Sequence, residues 1–209
     1  LDASASMGFG SGAVTKFRYG QFLAASLAYL SDRQNDAIGC VVFNDDVQQF
    51  VKPSSNSSQL QTLLRVLDEA VVEAGTEFSR PSETFRQVVT KKGIVAVISD
   101  FYCDPGPVLE ELKAFAWQGQ DLILFQILDD DEFQPGFENN VLLRDLETGE
   151  AVEVDPSFLK ESYPGRLQQH IQNISQNAAA MGAEHVLVKT SDSLDKAMRQ
   201  YLLTRERRS

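Results

Sequence analysis

Four short apolar runs, separated by stretches of helical periodicity, constrain the fold of this 209-residue chain more than any other feature. Each run is nearly continuous in apolar residues, which is typical of strands that are covered on both faces. The stretches between them repeat apolar residues at the 3.6 spacing of amphipathic helices. This alternation predicts a doubly wound α/β fold with a mostly parallel sheet and helices on both faces. The predicted parallel strands are residues 36–43, 93–99, 121–128 and 184–189.

The remaining pattern predicts one domain, residues 1–209, with an antiparallel edge strand at 47–51 and a hairpin insertion at about 139–155. The predicted helices are residues 15–31, 59–73, 82–90, 107–118, 157–181 and 193–205.

A run of alternating polar side chains opens the chain, in the order Asp2, Ser4, Ser6. Alternate residues of an extended segment face the same way, so one carboxylate and two hydroxyls can point into one pocket. Such an oxygen-only set suits a hard cation, Mg²⁺ first and Mn²⁺ or Ca²⁺ next. Two further oxygen ligands are expected downstream, Thr76 in a Gly-Thr loop and Asp100 at the end of an apolar strand. The carboxyl ends of parallel strands meet at one edge, where ligands bind in open α/β sheets.

These five positions resemble the metal-ion-dependent adhesion site of von Willebrand factor A (VWA) domains. The chain is similar to one bacterial branch of that family, whose members carry a domain of unknown function and are often encoded beside MoxR-type AAA+ ATPases. The resemblance implies a metal-dependent protein-binding module in which Asp2 and Asp100 act partly through bound waters. It also implies that the ion binds a Glu or Asp side chain of a partner, with a MoxR-type ATPase as the candidate partner. The similar phrases are residues 2–7, 35–39, 98–101 and 201–208. In the family a buried strand leads into the motif, but only Leu1 precedes Asp2, so the chain resembles the later part of a longer protein with its first strand largely missing. The resemblance therefore implies a gap or a stub at that central position of the sheet.

The charge of the chain limits its partners. A net charge of −11 argues against unassisted binding to nucleic acid or to an anionic membrane surface. The two isolated cysteines, Cys40 and Cys103, favour a reducing compartment, and no apolar run is long enough to span a bilayer. We therefore expect a cytoplasmic protein, with a signal or membrane segment ahead of Leu1 left open.

Several alternatives compete for the same residues. Gly8, Gly10 and Ala13 match the dinucleotide-binding fingerprint in spacing, but the fingerprint should begin where the strand ends. An aspartyl nucleophile at Asp2 would need a second Asp where Ser4 stands. The acidic run 129–132 follows a predicted strand and is a candidate for a second cation. No positioned base or nucleophile is evident, so we expect a binding module and not an enzyme; the main alternative is a metal-dependent phosphoryl-group hydrolase.

Overall fold

The computed structural model describes residues 1–73, 91–102, 105–136, 141–144, 146 and 149–206. Its strands alternate with helices along most of the chain, as the apolar pattern predicts. The strands are β1 (Ile38–Phe43), β2 (Val47–Ser54), β3 (Ile94–Ser99), β4 (Asp121–Leu128), β5 (Val141–Arg144), β6 (Ala151–Val154) and β7 (Glu184–Lys189). The helices are α1 (Lys16–Arg33), α2 (Gln59–Glu69), α3 (Pro105–Trp117), α4 (Asp130–Phe133), α5 (Pro156–Glu161), α6 (Tyr163–Ala180) and α7 (Leu194–Glu206).

The main sheet is parallel and three-stranded, in the order β3-β4-β7. The register pairs Val97 with Leu124, and Leu124 with His185, so the carboxyl ends of all three strands lie at one edge. β4 is the central strand, and its residues from Leu122 to Leu128 are buried. This double-sided burial explains why the strand is apolar without alternation.

Helices cover both faces of the sheet, which confirms the predicted α/β class. On one face, α1, α2 and α7 form a core with the strands, which includes Leu23, Leu63 and Tyr201. On the other face, α3 and α6 contribute Leu112 and Ile174 to a second core. Burying each such large aliphatic side chain stabilises the fold by roughly 1.5–3 kcal/mol.

β1 does not belong to the parallel sheet, so the prediction of one sheet with all four apolar runs is wrong. It pairs antiparallel with β2 in a separate two-stranded sheet. The short segment Leu1–Ala3 lies between the two sheets, with backbone hydrogen bonds to both Phe43 and Ile98. Three residues are too few to continue the ladder along β1 and β3. Beside them, a cavity of about 210 Å³ is lined by Leu1 and by side chains of both strands.

The predicted helix at 157–181 is also wrong as a single element, because the chain breaks at Ser162 between α5 and α6. Pro164 lies in the first turn of α6, where its missing N–H costs nothing, but inside a continuous helix it would remove a hydrogen bond. The helix predicted at 59–73 ends at Glu69, because residues after Ala70 extend to pair with the start of the chain. The helix predicted at 82–90 lies outside the described residues.

The hairpin β5–β6 is antiparallel and lies within the predicted insertion at 139–155. It exposes Leu142 and Val152. Within the described part of the chain, none of the helices is both long and apolar enough for a membrane span. The cytoplasmic location stays a prediction.

Candidate metal centre

The first residues of the chain lie at the carboxyl edge, between β1 and β3. The Asp2 backbone N–H donates to the Ile98 carbonyl at 2.9 Å, and the Ala3 N–H donates to the Phe43 carbonyl at 2.7 Å. These bonds hold Asp2, whose side chain is buried, where both neighbouring strands end. Asp2, the first residue of the predicted site, therefore lies at the sheet edge where that site is expected.

Asp2, Ser4 and Ser6 form a connected group, but the predicted alternation of an extended segment holds only as far as Ser4. Asp2 Oδ1 accepts a hydrogen bond from the Ser4 backbone N–H at 2.8 Å. The Ser4 and Ser6 hydroxyls share a hydrogen bond, with 3.1 Å between their oxygens. Ser6 lies in a 3₁₀ turn at Ala5–Gly8, so the turn and not the alternation places its hydroxyl next to that of Ser4.

Asp100 joins this group through its neighbour Ser99. The Ser99 hydroxyl donates to Asp2 Oδ2 at 2.5 Å and accepts from the Phe101 N–H at 2.9 Å. Phe101 has φ of 56°, a left-handed conformation that is strained for an aromatic residue. The turn that it makes lets the Tyr102 N–H donate to Asp100 Oδ1 at 3.1 Å. Backbone strain of this kind recurs at functional sites, where the surroundings over-determine the geometry.

Four of the five predicted site residues thus converge, namely Asp2, Ser4, Ser6 and Asp100. Thr76 lies outside the described residues. The nearest described position before it is Glu73, whose N–H donates to the Ala3 carbonyl at 2.9 Å and which pairs with Ser4.

Two charged residues of this edge were missed by sequence reasoning, Lys16 and Glu132. The Lys16 ammonium lies 2.7 Å from Asp100 Oδ2 and 2.6 Å from Glu132 Oε1. A signal for Lys16 exists, because Gly20 and Leu23 follow it at helical spacing on the buried stripe of α1. A lysine is also out of place in the first turn of a helix, where the macrodipole favours acidic residues. Glu132 gives no such signal within the acidic run.

Charge in this buried group is unevenly compensated. Burial, with a further contribution from the repulsion of Asp100, raises the pKa of Asp2 to about 6. The hydrogen-bond donors to Asp2 in the described residues include the Ser4 N–H and the hydroxyls of Ser4 and Ser99, and all of them are neutral. Burial alone would lower the pKa of Lys16, but Asp100 and Glu132 outweigh it and the pKa rises. Lys16 is therefore a permanent cation that is engaged with Asp100 and Glu132.

The residues fit a small divalent cation in donor chemistry and in spacing. Two neighbouring oxygen ligands of an octahedral Mg²⁺ lie about 3.0 Å apart, because each Mg–O distance is about 2.1 Å. The Ser4 and Ser6 hydroxyl oxygens have nearly this separation, at 3.1 Å, which is also the length of the hydrogen bond that they share. A divalent ion beside them would also stabilise the ionised form of Asp2. The metal itself stays a prediction.

In the acidic run 129–132, the candidate for a second cation, Asp129 and Glu132 make other contacts. Asp129 accepts hydrogen bonds from the hydroxyls of Ser11 and Thr190, and it forms a capping box with Glu132 at the start of α4. Across the described ranges, no cluster of three or more His, Cys, Asp or Glu side chains is placed to hold a metal ion. The run therefore anchors the loop that precedes α1, and it also supplies Glu132 to Lys16.

Comparison with known proteins gives a family match over most of the chain. The sequence model of the family described as "Protein of unknown function DUF58" matches residues 1–173. Among curated proteins, the uncharacterized protein Rv1480 of Mycobacterium tuberculosis is 22% identical over 197 residues, which cover 91% of this chain. The match covers 61% of that relative, so the chain spans less than two thirds of its length.

Solved structures support the fold. BatB from Bacteroides thetaiotaomicron superposes with a TM-score of 0.65 at 20% identity, covering 98% of this chain and 95% of that one. The SpRpn10 VWA domain superposes with a TM-score of 0.53 at 12% identity, covering 92% of this chain and 87% of that one. These superpositions show a VWA-like fold. At such low sequence identities they carry no information about ligands.

Proposed function

Since this chain belongs to the DUF58 family of proteins of unknown function, and its fold is VWA-like, we propose that it is a metal-dependent protein–protein interaction module. The proposed ion is Mg²⁺, held by Ser4, Ser6 and Thr76 directly and by Asp2 and Asp100 partly through water. Mn²⁺ or Ca²⁺ can replace it. An acidic side chain of the partner completes its coordination.

The observation that carries this proposal is the pair of hydroxyls at octahedral ligand spacing beside a buried carboxylate. Ser4 is fully buried, and Asp2 is 1% exposed. Neutral hydroxyl ligands leave most of the charge on the ion, so it still attracts an anion at a remaining position. Asp2 gains from the same ion, because its charge otherwise stands beside that of Asp100 with a raised pKa.

An acidic partner would approach this protein against an unfavourable field. The net charge of −11 repels a carboxylate at long range, and the ion reverses that field locally. Adding or removing the ion should therefore turn binding of the partner on or off. We propose a MoxR-type AAA+ ATPase as the partner, on the resemblance of the chain to the branch encoded beside such ATPases, with this protein as its adaptor or cofactor.

The carboxylates of Asp2 and Asp100 are fixed by hydrogen bonds and an ion pair, which favours a binding role over a catalytic one. Both oxygens of Asp2 accept hydrogen bonds, and Asp100 is paired with Lys16 and with the Tyr102 N–H. Groups fixed in this way are positioned charges, whereas a general base needs an oxygen aimed at the proton that it removes. The alternative role, hydrolysis of phosphoryl groups, is checked by a turnover screen with Mg²⁺.

The test is binding of the purified protein to a MoxR-type ATPase from the same genome, in millimolar Mg²⁺ and then in EDTA. We expect EDTA to abolish binding, and we expect Ser4→Ala, Thr76→Ala and Asp100→Ala to weaken it at least about tenfold, the loss of one charge-assisted contact. Ser55→Ala changes an exposed loop serine and is the matched control.

A second arm changes the partner. Replacing its contacting Glu or Asp by Gln or Asn keeps the shape of the side chain and removes its charge, so binding should again be lost. If the ATPase stays bound in EDTA and to Asp100→Ala, the ion is not the contact and the proposal fails. Turnover of a phosphoryl substrate that requires Ser4 and Asp100 would favour the hydrolase instead.

A further inference from the structure

The most unusual charge in the described molecule is the ammonium of Lys16, at the first residue of α1. Its side chain is 1% exposed, and it lies on the same helix stripe as the buried residues Gly20 and Leu23. A lysine is almost never fully buried unless it is paired. It also stands at a helix N-terminus, where the macrodipole disfavours a cation. Some strong local interaction must offset both costs.

The contacts of the ammonium supply that interaction. Asp100 Oδ2 lies at 2.7 Å and Glu132 Oε1 at 2.6 Å, and the face of the Tyr102 ring lies 4.8 Å from the nitrogen. The Lys16 backbone N–H donates to the Phe9 carbonyl at 2.9 Å, which fixes the start of the helix over the turn. The position of the cation is thus set by three separate parts of the chain: the turn after Ser6, the end of β3 and the start of α4.

Asp100 therefore belongs to two arrangements at once. It is one of the residues proposed to hold the divalent ion, and it is already paired with a cation that the protein itself provides. The positive charge of Lys16, next to the proposed ligand Asp100, repels a second cation. In a buried site that repulsion is only weakly screened.

We propose that Lys16 is a resident cation that neutralises Asp100 and Glu132, keeps this edge folded when the divalent ion is absent, and sets the affinity for the ion low enough for exchange. This inference rests on the proposed function, because it takes the metal site as given. Lys16 is not one of the five predicted site residues, and we assign it control of the affinity for the divalent ion.

Removing the ammonium should have two linked effects. The buried Asp100 and the partly buried Glu132 would be left without their cation, which destabilises the protein in EDTA. The divalent ion would then take over the neutralisation, so it would bind more tightly and raise the melting temperature by more than in the unaltered protein. A lysine with only a structural role predicts the opposite, because loosening the edge would weaken binding.

The experiment compares Mn²⁺ binding, by titration with electron paramagnetic resonance detection, in the unaltered chain, Lys16→Met and Glu132→Gln. We expect Lys16→Met to bind Mn²⁺ about tenfold more tightly, since it loses a nearby like charge. Glu132→Gln keeps the ammonium and removes one acid, so it should bind several-fold more weakly. Lys52→Met, the same change at an exposed position, should leave the affinity unchanged.

The melting temperature in EDTA and in millimolar Mg²⁺ is the second readout. The shift produced by Mg²⁺ should be larger for Lys16→Met than for the unaltered chain. Weaker or equal Mn²⁺ binding by Lys16→Met would overturn the role of Lys16 while leaving the metal site intact. If Lys16→Met does not fold, Glu132→Gln decides alone, and an unchanged or higher affinity there overturns the inference. If the unaltered chain binds no Mn²⁺, the inference falls together with the proposed function.

Discussion

Asp2 is the residue whose ionisation most directly links stability to the proposed function. Its folded-state pKa of about 6 lies above the ordinary value of 3.8, so the folded protein holds this proton more tightly than the unfolded chain does. The charge of Asp2 therefore lowers the free energy of unfolding progressively as the pH rises from about 4 to about 6. Above that range the full effect is present, roughly 3 kcal/mol for a shift of about two units in a buried group.

Relative to the unaltered chain, Asp2→Asn should accordingly gain up to about 3 kcal/mol of stability in EDTA as the pH rises to about 7.5, because the amide carries no charge. A loss that does not depend on pH is set against this gain, because the amide nitrogen cannot accept one of the two hydrogen bonds that the Asp2 oxygens accept. The gain should shrink as the pH falls and disappear near pH 4, where Asp2 is protonated in both states. Chemical denaturation of both proteins at several pH values measures it. A difference that does not vary with pH would show that the buried charge is not its origin.

Residue patterns predicted that Asp2, Ser4, Ser6 and Asp100 lie at one edge, but they did not predict Lys16. Alternation in an extended segment accounts for Asp2 and Ser4, whereas the 3₁₀ turn at Ala5–Gly8 places Ser6. Lys16 and Asp100 are separated by 84 positions, and their pairing depends on how α1 lies across the ends of β3 and β4. A sequence shows that Lys16 falls on a buried stripe, but it does not show which acid meets it there.

At the scale of elements, the turn between Ser6 and α1 determines where Lys16 lies. Gly10 sits where a Cβ atom would come within 2.7 Å of the Thr15 Cα and of the Val14 carbonyl oxygen. These are backbone atoms, so the turn itself would have to move. Gly12, two residues on, has no atom within 4 Å of the corresponding Cβ position.

Gly10→Ala should therefore destabilise the protein by about 1–3 kcal/mol, the usual effect of overpacking, and it should change Mn²⁺ affinity because the start of α1 shifts. Gly12→Ala is the matched control and should behave like the unaltered chain in both respects. Thermal unfolding and Mn²⁺ titration measure the two effects. Equal behaviour of the two variants would mean that the turn does not fix the site.

The sequence predicted the boundaries of an element correctly only where they depended on the local pattern of apolar residues. Apolar runs gave β3, β4 and β7 nearly residue by residue. The break at Ser162 was missed because the apolar periodicity continues across it, while Pro164 alone divides α5 from α6. The early end of α2 is a tertiary effect, since Glu73 leaves the helical path to pair with Ser4 and donates its N–H to the Ala3 carbonyl.

For the whole molecule, the alternation of strands and helices was sufficient to predict the class of fold. The expected stub before Asp2 is present as the segment Leu1–Ala3. The prediction of a single sheet was nevertheless wrong, because so short a stub leaves β1 paired along its length only with β2. The site survives this division, since Asp2 still bonds to the end of β3 while Ala3 bonds to the end of β1. The central claim therefore depends on the edge and not on an unbroken sheet.

The most direct measurement of that claim is an anomalous difference map from crystals of the full chain soaked in Mn²⁺. We predict one peak at the carboxyl edge, about 2.2 Å from both Ser4 Oγ and Ser6 Oγ, which disappears in crystals of Asp100→Ala soaked in the same way. A map with no peak beside Ser4 and Ser6, or with Mn²⁺ only at Asp130 and Asp131 on the surface of α4, would contradict the account.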